Sequence, residues 1–136
     1  MTRRILFLCR NNATRSQMAQ ALLQHYADGR FEAFSAGGEP EPIDPRTLTE
    51  LKRHDLPVDG LRSKSIDEFD GQSFDAVISL CNKSAVHHSR FPQVEELLEW
   101  DCPDPAQEEG MTGFERCFDE LSERIRTLVR VWGRVY

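Results

Sequence analysis

The chain has 136 residues, of which 39% are apolar and 29% are charged, and its formal net charge is −6. This size and composition predict one globular domain spanning residues 1–136 rather than a disordered chain or two domains. An acidic chain is a poor candidate for nucleic-acid binding, which needs a basic surface. No apolar run is long enough for a transmembrane helix. We therefore expect no nucleic-acid or membrane partner. We also expect a monomer.

The first half of the chain alternates apolar runs with segments of helical spacing. Short apolar runs predict strands, whereas apolar residues three or four apart predict helices. An Asp followed by Pro is typical of a helix start, because the carboxylate caps free amides and proline fits the first turn. The predicted elements are a strand at Arg4–Leu8, a helix at Gln17–Tyr26 ended by Asp28-Gly29, a strand at Phe31–Ser35 and a helix from Pro45 to His54 behind Asp44.

The second half continues the same alternation. Strands that alternate with helices predict an α/β fold in which helices flank a parallel sheet. The predicted elements are a short helix or turn at Ser63–Asp70, a strand at Phe74–Leu80, a short helix near Ser84–Arg90, a fourth strand ending at Glu99-Trp100 and a long helix at Thr112–Val131.

Three reactive side chains follow three different predicted strands. Cys9 follows the first strand, Cys81 follows the third, and Asp104 lies in the loop after the fourth. In open parallel sheets, ligands bind outside the carboxyl ends of the strands. The sequence therefore predicts a site at this edge of the sheet.

The segment from Cys9 to Ser16 contains a cysteine, five residues, an arginine and a serine. Placed between a strand and a helix, such a loop can turn its amides inward to hold an anion, and the helix N-terminus favours a thiolate at Cys9. Arg15 can hold two oxyanion oxygens, Ser16 can donate to the thiolate, and Asn12 tolerates a left-handed backbone. The predicted oxyanion-binding residues are Asn11, Asn12, Ala13, Thr14, Arg15 and Ser16. The alternative is an inert buried cysteine beside a surface arginine.

The chain contains four cysteines, at positions 9, 81, 102 and 117. The apolar run before Cys9 is too short for a signal peptide, so we expect a cytoplasmic protein whose thiols stay reduced. No two cysteines have the close spacing of a zinc site, and we predict no bound metal. In a reducing compartment, catalytic or redox roles for these thiols are favoured over structural disulfides.

Several stretches resemble the low-molecular-weight tyrosine phosphatase superfamily, and within it the arsenate reductases more closely. The Cys9 loop followed by Gln17-Met18-Ala19 resembles their nucleophile loop, and Asp104-Pro105 resembles their general-acid loop. Further similarity lies in Ser35-Ala36-Gly37, in Ser63-Lys64 and in the strand Phe74–Leu80 with Cys81 after it. The resemblance implies a four-stranded parallel sheet of order 2-1-3-4 flanked by helices.

The resemblance also implies roles for individual residues. Cys9 would attack arsenate, Arg15 would clamp it, and Asp104 would protonate the leaving oxygen, with Asp101 as a competing acid. Cys81 would then attack Cys9 and release arsenite. No cofactor is implied, only an external thiol donor, either thioredoxin or glutathione with glutaredoxin. The substrate is a small oxyanion, so phosphate or sulfate could also bind.

The chain departs from the reductases at some positions. One group of reductases that uses thioredoxin has a third cysteine about seven residues beyond the second, where this chain has His88. Cys102 is a candidate replacement, whereas Cys117 is expected in the core. Some reductases bind potassium through positions that correspond here to Gln20 and Lys64, and we expect the Lys64 ammonium to take the place of the cation.

Two other functions remain open. A tyrosine phosphatase would use the same Cys9 loop, but Ala106-Gln107 stand where the paired aromatic residues of those enzymes follow Asp-Pro, unless Trp100 supplies an aromatic wall. A non-catalytic oxyanion-binding module would need a disabled site, yet Cys9, Arg15 and Asp104 are all present. The sequence therefore favours an arsenate reductase.

Overall fold

The structure is a computed structural model that describes residues 2–27, 29–80 and 96–133. The strands are β1 (Arg3–Cys9), β2 (Phe31–Gly37), β3 (Ala76–Ser79) and β4 (Glu96–Glu99). The helices are α1 (Arg15–Tyr26), α2 (Pro45–Arg53) and α3 (Thr112–Gly133), with short 3-10 helices at Ile66–Phe69 and Pro105–Gln107. No helix within these ranges is both long and apolar enough to cross a membrane.

The four strands form a parallel sheet in the order β2-β1-β3-β4. Strand β1 lies in the interior of the sheet, where Cys9 pairs with Gly37 of β2 and Leu8 pairs with Ser79 of β3. Both the predicted α/β class and the predicted strand order are confirmed. All four strands point the same way, so the segments that follow them meet at one edge of the sheet.

The alternation of side chains along β1 divides the core into two clusters. Ile5, Phe7 and Cys9 pack on the face that carries α1, α2 and α3. Leu6 and Leu8 pack on the opposite face, against the 3-10 helix Ile66–Phe69 and a group of phenylalanine rings. Cys9 therefore lies at the end of a strand whose side chains are packed on both faces of the sheet.

Helices α2 and α3 match the predictions closely. Asp44 caps α2 by accepting a hydrogen bond from the Arg46 amide at 2.9 Å, and the helix ends at Arg53 with His54 as its C-cap. In α3, the predicted apolar face is buried; its residues are Phe114, Phe118, Leu121, Ile125 and Leu128.

Other boundaries differ from the predictions. Helix α1 begins at Arg15 rather than Gln17, because the Thr14 carbonyl already accepts a hydrogen bond from the Met18 amide at 3.1 Å. Strand β2 continues to Gly37, because it stays paired with β1 along its whole length. Strand β3 is shorter than predicted and pairs only over Ala76–Ser79. The predicted helix near Ser84–Arg90 lies outside the described residues.

Candidate functional site

The loop between β1 and α1 turns its carbonyl groups outward. The carbonyls of Arg10, Asn11 and Ala13 accept hydrogen bonds of 2.9–3.1 Å from the amides of residues 39, 41 and 44. Among the described residues, no hydrogen bond uses the amides of residues 11–14. These free amides, at the N-terminus of α1, form the type of nest that binds an anion.

Two backbone features allow the loop to turn this tightly. Asn12 has a φ of 51°, in the left-handed region that asparagine tolerates better than most residues. Gly37 passes so close to the loop that a Cβ there would lie 2.8 Å from the Arg10 carbonyl oxygen and from the Asn12 amide nitrogen. The sequence indicated the role of Asn12, whereas it pointed to Gly37 only through the resemblance of Ser35-Ala36-Gly37 to the family.

The Cys9 thiol is the end of a short hydrogen-bonded chain. Its sulfur lies 2.8 Å from the Ser16 hydroxyl oxygen, which in turn accepts a hydrogen bond of 2.7 Å from the Asn12 side-chain amide. Gln17 and the Lys64 amide both donate to the Asn12 side-chain oxygen and so fix its orientation. The Asn12 amide donates to the Ser16 hydroxyl oxygen, which leaves the hydroxyl proton pointing elsewhere. The Ser16 hydroxyl can therefore donate this proton to a Cys9 thiolate.

Arg15 is buried, and one edge of its guanidinium is held by the protein. Its Nη1 donates to the carbonyls of Leu80 at 3.0 Å and Cys102 at 2.8 Å. Its Nε is buried without a hydrogen-bond partner among the described residues. A guanidinium offers paired N–H groups that match two oxyanion oxygens. The side of the guanidinium away from Nη1 therefore has the chemistry to hold two oxygens of an oxyanion.

Asp104 lies beside this guanidinium, with its Oδ2 4.0 Å from Arg15 Nη2. Its Oδ1 accepts a hydrogen bond from the Ala106 amide at 3.0 Å and lies 3.5 Å from the Thr14 hydroxyl. The side chain is about one quarter exposed, so it can reach both the cleft and water. Asp101, the competing acid, is exposed and does not line the cleft.

Arg46 connects the start of α2 to the segment after Asp104. Its Nη1 donates to the Glu108 carbonyl at 2.8 Å, and its Nη2 lies 2.8 Å from Asp44 Oδ2 and 3.5 Å from the Ala106 carbonyl oxygen. The hydrogen bonds from Arg46 hold the pKa of the Asp44 carboxyl below its ordinary value. The sequence did not indicate this contact, because Arg46 is 58 residues before Asp104.

A cleft of about 290 Å³ brings Cys9, Arg15 and Asp104 together. Glu41 and Asp44 lie at its rim, and no aromatic side chain is among the described residues that line it. Trp100 lies elsewhere, with its ring 6.1 Å from that of Phe7. In the described part of the chain, the cleft has no wall for an aromatic ring.

Lys64 is buried close to the loop. Its ammonium donates to the Arg62 carbonyl at 2.7 Å and to the Ser35 hydroxyl at 3.3 Å, and Ser35 donates onward to Gln20. Burial lowers the pKa of Lys64 from 10.5 to about 8. The ammonium thus lies at the position that the resemblance relates to potassium binding, and no group of three or more metal-binding side chains occurs in the described ranges.

The remaining cysteines fall into two groups. Cys81, the predicted second thiol, lies outside the described residues, as does His88. Cys102 and Cys117 are both buried, and their sulfurs are 3.4 Å apart. Cys102 does not line the cleft, although its carbonyl holds Arg15.

Comparison with known proteins gave matches over nearly the whole chain. Residues 4–134 match the family model for low molecular weight phosphotyrosine protein phosphatase. An arsenate reductase from Halalkalibacterium halodurans is 32% identical over 128 residues, covering 90% of this chain and 92% of the relative. A thioredoxin-dependent arsenate reductase from Corynebacterium glutamicum superposes with a TM-score of 0.75 at 27% identity, covering 99% of this chain and 64% of that one. An arsenate reductase in a phosphate-binding state superposes with a TM-score of 0.86 at 24% identity, covering 95% of this chain and 98% of that one.

Proposed function

Since the chain belongs to the low molecular weight phosphotyrosine protein phosphatase family, we propose that within this family it is an arsenate reductase, an enzyme that reduces arsenate to arsenite with thiols. The observation that carries the proposal is that Arg15, whose Nε has no hydrogen-bond partner among the described residues, lines the same cleft as the Ser16-bonded thiol of Cys9. Among the described residues, no aromatic side chain lines the cleft, and this observation, with the relatives named arsenate reductase, favours arsenate over a phosphotyrosine side chain.

In the first step, the Cys9 thiolate attacks the arsenic atom of arsenate. The loop amides and the free edge of Arg15 hold the oxygens of the anion while negative charge builds up on them. One arsenic–oxygen bond breaks, and Asp104 donates a proton so that the oxygen leaves as water. The product is a covalent adduct between the Cys9 sulfur and arsenic, still in the oxidised state.

In the second step, another thiolate attacks the sulfur of Cys9. The sulfur–arsenic bond breaks, its electron pair stays on arsenic, and arsenite leaves with arsenic reduced by two electrons. The two sulfurs are oxidised to a disulfide. We assign the second thiol to Cys81, which follows Leu80, the residue whose carbonyl binds Arg15.

An external thiol must then reduce the disulfide to restore the enzyme. Thioredoxin and glutathione with glutaredoxin are both suitable donors, and a relative is described as thioredoxin-dependent. The enzyme needs no bound cofactor in this scheme. Its thiols must start reduced, which fits a cytoplasmic location.

The test is arsenite production by purified protein, with thioredoxin and glutathione–glutaredoxin supplied in parallel. We expect turnover with at least one donor, no turnover in Cys9→Ser, and loss of reduction with retained phosphate binding in Cys81→Ser. Absence of arsenite with both donors would contradict the reductase assignment.

The second candidate is a phosphatase that forms a Cys9 phosphoenzyme, and the family match favours it. The same cleft residues would act, with Asp104 protonating the leaving oxygen of the phosphate ester. This activity needs no second thiol. Brisk hydrolysis of a phosphotyrosine substrate that survives Cys81→Ser, without arsenate reduction, would identify the phosphatase.

A further inference from the structure

Cys102 and Cys117 form a pair of thiols outside the cleft. Cys102 lies in the segment after β4, whereas Cys117 lies in the second turn of α3, and their sulfurs are 3.4 Å apart. Only 4% of Cys102 and 3% of Cys117 is exposed. The mechanism proposed above uses neither sulfur, although it uses the Arg15 side chain that the Cys102 carbonyl holds.

The contact between the two sulfurs suits disulfide formation. A disulfide bond is about 2.05 Å long, so the sulfurs need to approach by only about 1.4 Å. The contact with Cys117 lowers the pKa of the Cys102 thiol and raises that of Cys117. Cys102 is therefore the nucleophile of the pair, and Cys117 keeps its proton until the second step.

We propose that Cys102 and Cys117 are a reversible disulfide site that a small peroxide oxidises, and that closing this disulfide loosens the Arg15 oxyanion clamp. The second half rests on the oxyanion-binding role given to Arg15 under the proposed function. The first half is independent of the reaction that the cleft catalyses.

The oxidation takes place in two balanced steps. The Cys102 thiolate attacks one peroxide oxygen, the oxygen–oxygen bond breaks, and hydroxide leaves and takes up a proton to become water. The Cys117 thiolate then attacks the resulting sulfenic acid, and a second hydroxide leaves with the Cys117 proton as water. Two electrons pass from the sulfurs to the peroxide, and a thiol reductant reverses the change.

Burial of the pair selects the oxidant. Thiols that are so little exposed exclude a bulky disulfide such as oxidised glutathione, whereas hydrogen peroxide is small and neutral. The Glu120 carboxylate, with Oε2 3.7 Å from the Cys102 sulfur, also disfavours anionic oxidants. Hydrogen peroxide is therefore the appropriate probe.

The Cys102–Cys117 pair is connected to the Arg15 guanidinium through the backbone carbonyl of Cys102. Cys117 is fixed in α3, a helix of 22 residues that is anchored in the core by Phe114, Phe118 and Leu121. Bond formation therefore moves the loop residue Cys102 rather than the helix. Its carbonyl accepts a 2.8 Å hydrogen bond from Arg15, so this movement weakens one of the two contacts that orient the guanidinium. We expect about a tenfold loss of phosphate affinity, the effect of one hydrogen bond to a charged group.

The experiment uses the full chain with Cys9→Ser and Cys81→Ser, which leaves Cys102 and Cys117 as the two remaining thiols. Treatment with hydrogen peroxide should remove both free thiols and lower the intact mass by two hydrogen atoms, and dithiothreitol should reverse both changes. Phosphate titration by calorimetry should show weaker binding only in the oxidised form. Adding Cys117→Ala gives the matched control, which should gain oxygen instead of losing hydrogen.

Oxygen adducts on either cysteine without a disulfide would overturn the redox site. A disulfide that leaves phosphate affinity unchanged would overturn the connection to Arg15. Differential alkylation of the unsubstituted chain, followed by peptide mapping, must find the same disulfide, so a folding defect in the variant cannot decide the outcome. If the reduced variant and the unsubstituted chain both fail to bind phosphate, the proposed oxyanion site fails, while the mass change still decides the disulfide.

Discussion

At the scale of single residues, the thiol of Cys9 depends on the side chains that surround it. Ser16 contacts the sulfur directly, Asn12 orients the Ser16 hydroxyl, and Gln17 and the Lys64 amide orient Asn12. Each of these side chains is buried, so an unpaired group would have no water to replace its partner. The environment of the proposed nucleophile is thus set by several hydrogen bonds rather than by one.

Replacing Ser16 by alanine should lower kcat/KM by about 10- to 100-fold, because a hydrogen bond to a charged group contributes about 1.5–3 kcal/mol. The matched control is Ser122→Ala, since Ser122 is also buried but bonds to Tyr26 away from the cleft. Steady-state arsenate reduction and thermal unfolding of both variants provide the measurement. Equal losses of activity in the two variants would contradict a role for Ser16 at the thiolate.

Lys64 should make stability depend on pH in a defined window. Burial lowers its folded pKa from 10.5 to about 8, so the unfolded chain holds the proton between these values and the folded chain does not. The cost of burying the charge is full below pH 8 and is relieved as the pH rises from 8 towards 10.5. The free energy of unfolding, relative to that of Lys64→Met, should therefore increase across this window in urea titrations. If the difference in free energy of unfolding between the two proteins does not change with pH, the burial of the Lys64 ammonium is contradicted.

The same lysine should make the enzyme indifferent to the identity of a monovalent cation. We expect sodium and potassium chloride at equal concentration to give the same unfolding midpoint and the same turnover. A severalfold gain with potassium alone would contradict replacement of the cation by Lys64.

At the scale of elements, the candidate site is assembled by close contact between neighbouring backbones. The Cys9 loop passes over Gly37 at the end of β2, and Arg46 of α2 holds the segment after Asp104. Strand–loop–helix order and the residues at strand ends were visible in the sequence through periodicity and turn chemistry. The contacts of Gly37, Arg46 and the Cys102 carbonyl were not, because they depend on three-dimensional packing between segments far apart in the chain.

Replacing Gly37 by alanine should disrupt the loop, because the added Cβ meets backbone atoms that cannot rotate away. We expect a loss of about 1–3 kcal/mol in stability and weak phosphate binding. The control is Gly113→Ala, where the Cβ meets the flexible end of the Glu108 side chain. Calorimetric phosphate titration and urea unfolding distinguish the two, and normal binding by Gly37→Ala would contradict this contact.

Replacing Arg46 by methionine should release the segment that carries Asp104 and lower kcat about tenfold, with a smaller change in KM, since protonation of the leaving oxygen is lost more than binding. The control is Arg62→Met, which removes an exposed arginine paired with Glu68. If kcat of Arg46→Met equals that of the control, Arg46 does not position the acid.

At the scale of the whole molecule, an anionic substrate must approach an anionic protein. The net charge of −6 and the rim residues Glu41 and Asp44 repel arsenate at long range, whereas the loop amides and Arg15 attract it at contact. Salt screens the long-range repulsion more than the short-range attraction inside the cleft.

Raising the ionic strength from about 0.01 M to about 0.1 M shortens the screening length from about 30 Å to about 10 Å. We therefore expect kcat/KM for arsenate to rise about twofold, contrary to the usual loss of anion binding in basic proteins. This change in kcat/KM is measured by stopped arsenate-reduction assays at constant pH over a series of sodium chloride concentrations. A steady fall of kcat/KM with salt would show that the positive charge of the cleft dominates at all distances.

The double attachment of Arg15 has a consequence for how mutants of this protein should be interpreted. Its guanidinium donates to the carbonyl of Leu80, after β3, and to the carbonyl of Cys102, after β4. These two hydrogen bonds link the ends of two neighbouring strands. Removing the guanidinium takes away the proposed ligand for the anion and two structural hydrogen bonds at once. An inactive Arg15→Ala protein is therefore no clean proof of a role in chemistry. Thermal unfolding and phosphate titration of the same Arg15→Ala protein would separate the structural loss from the loss of anion binding.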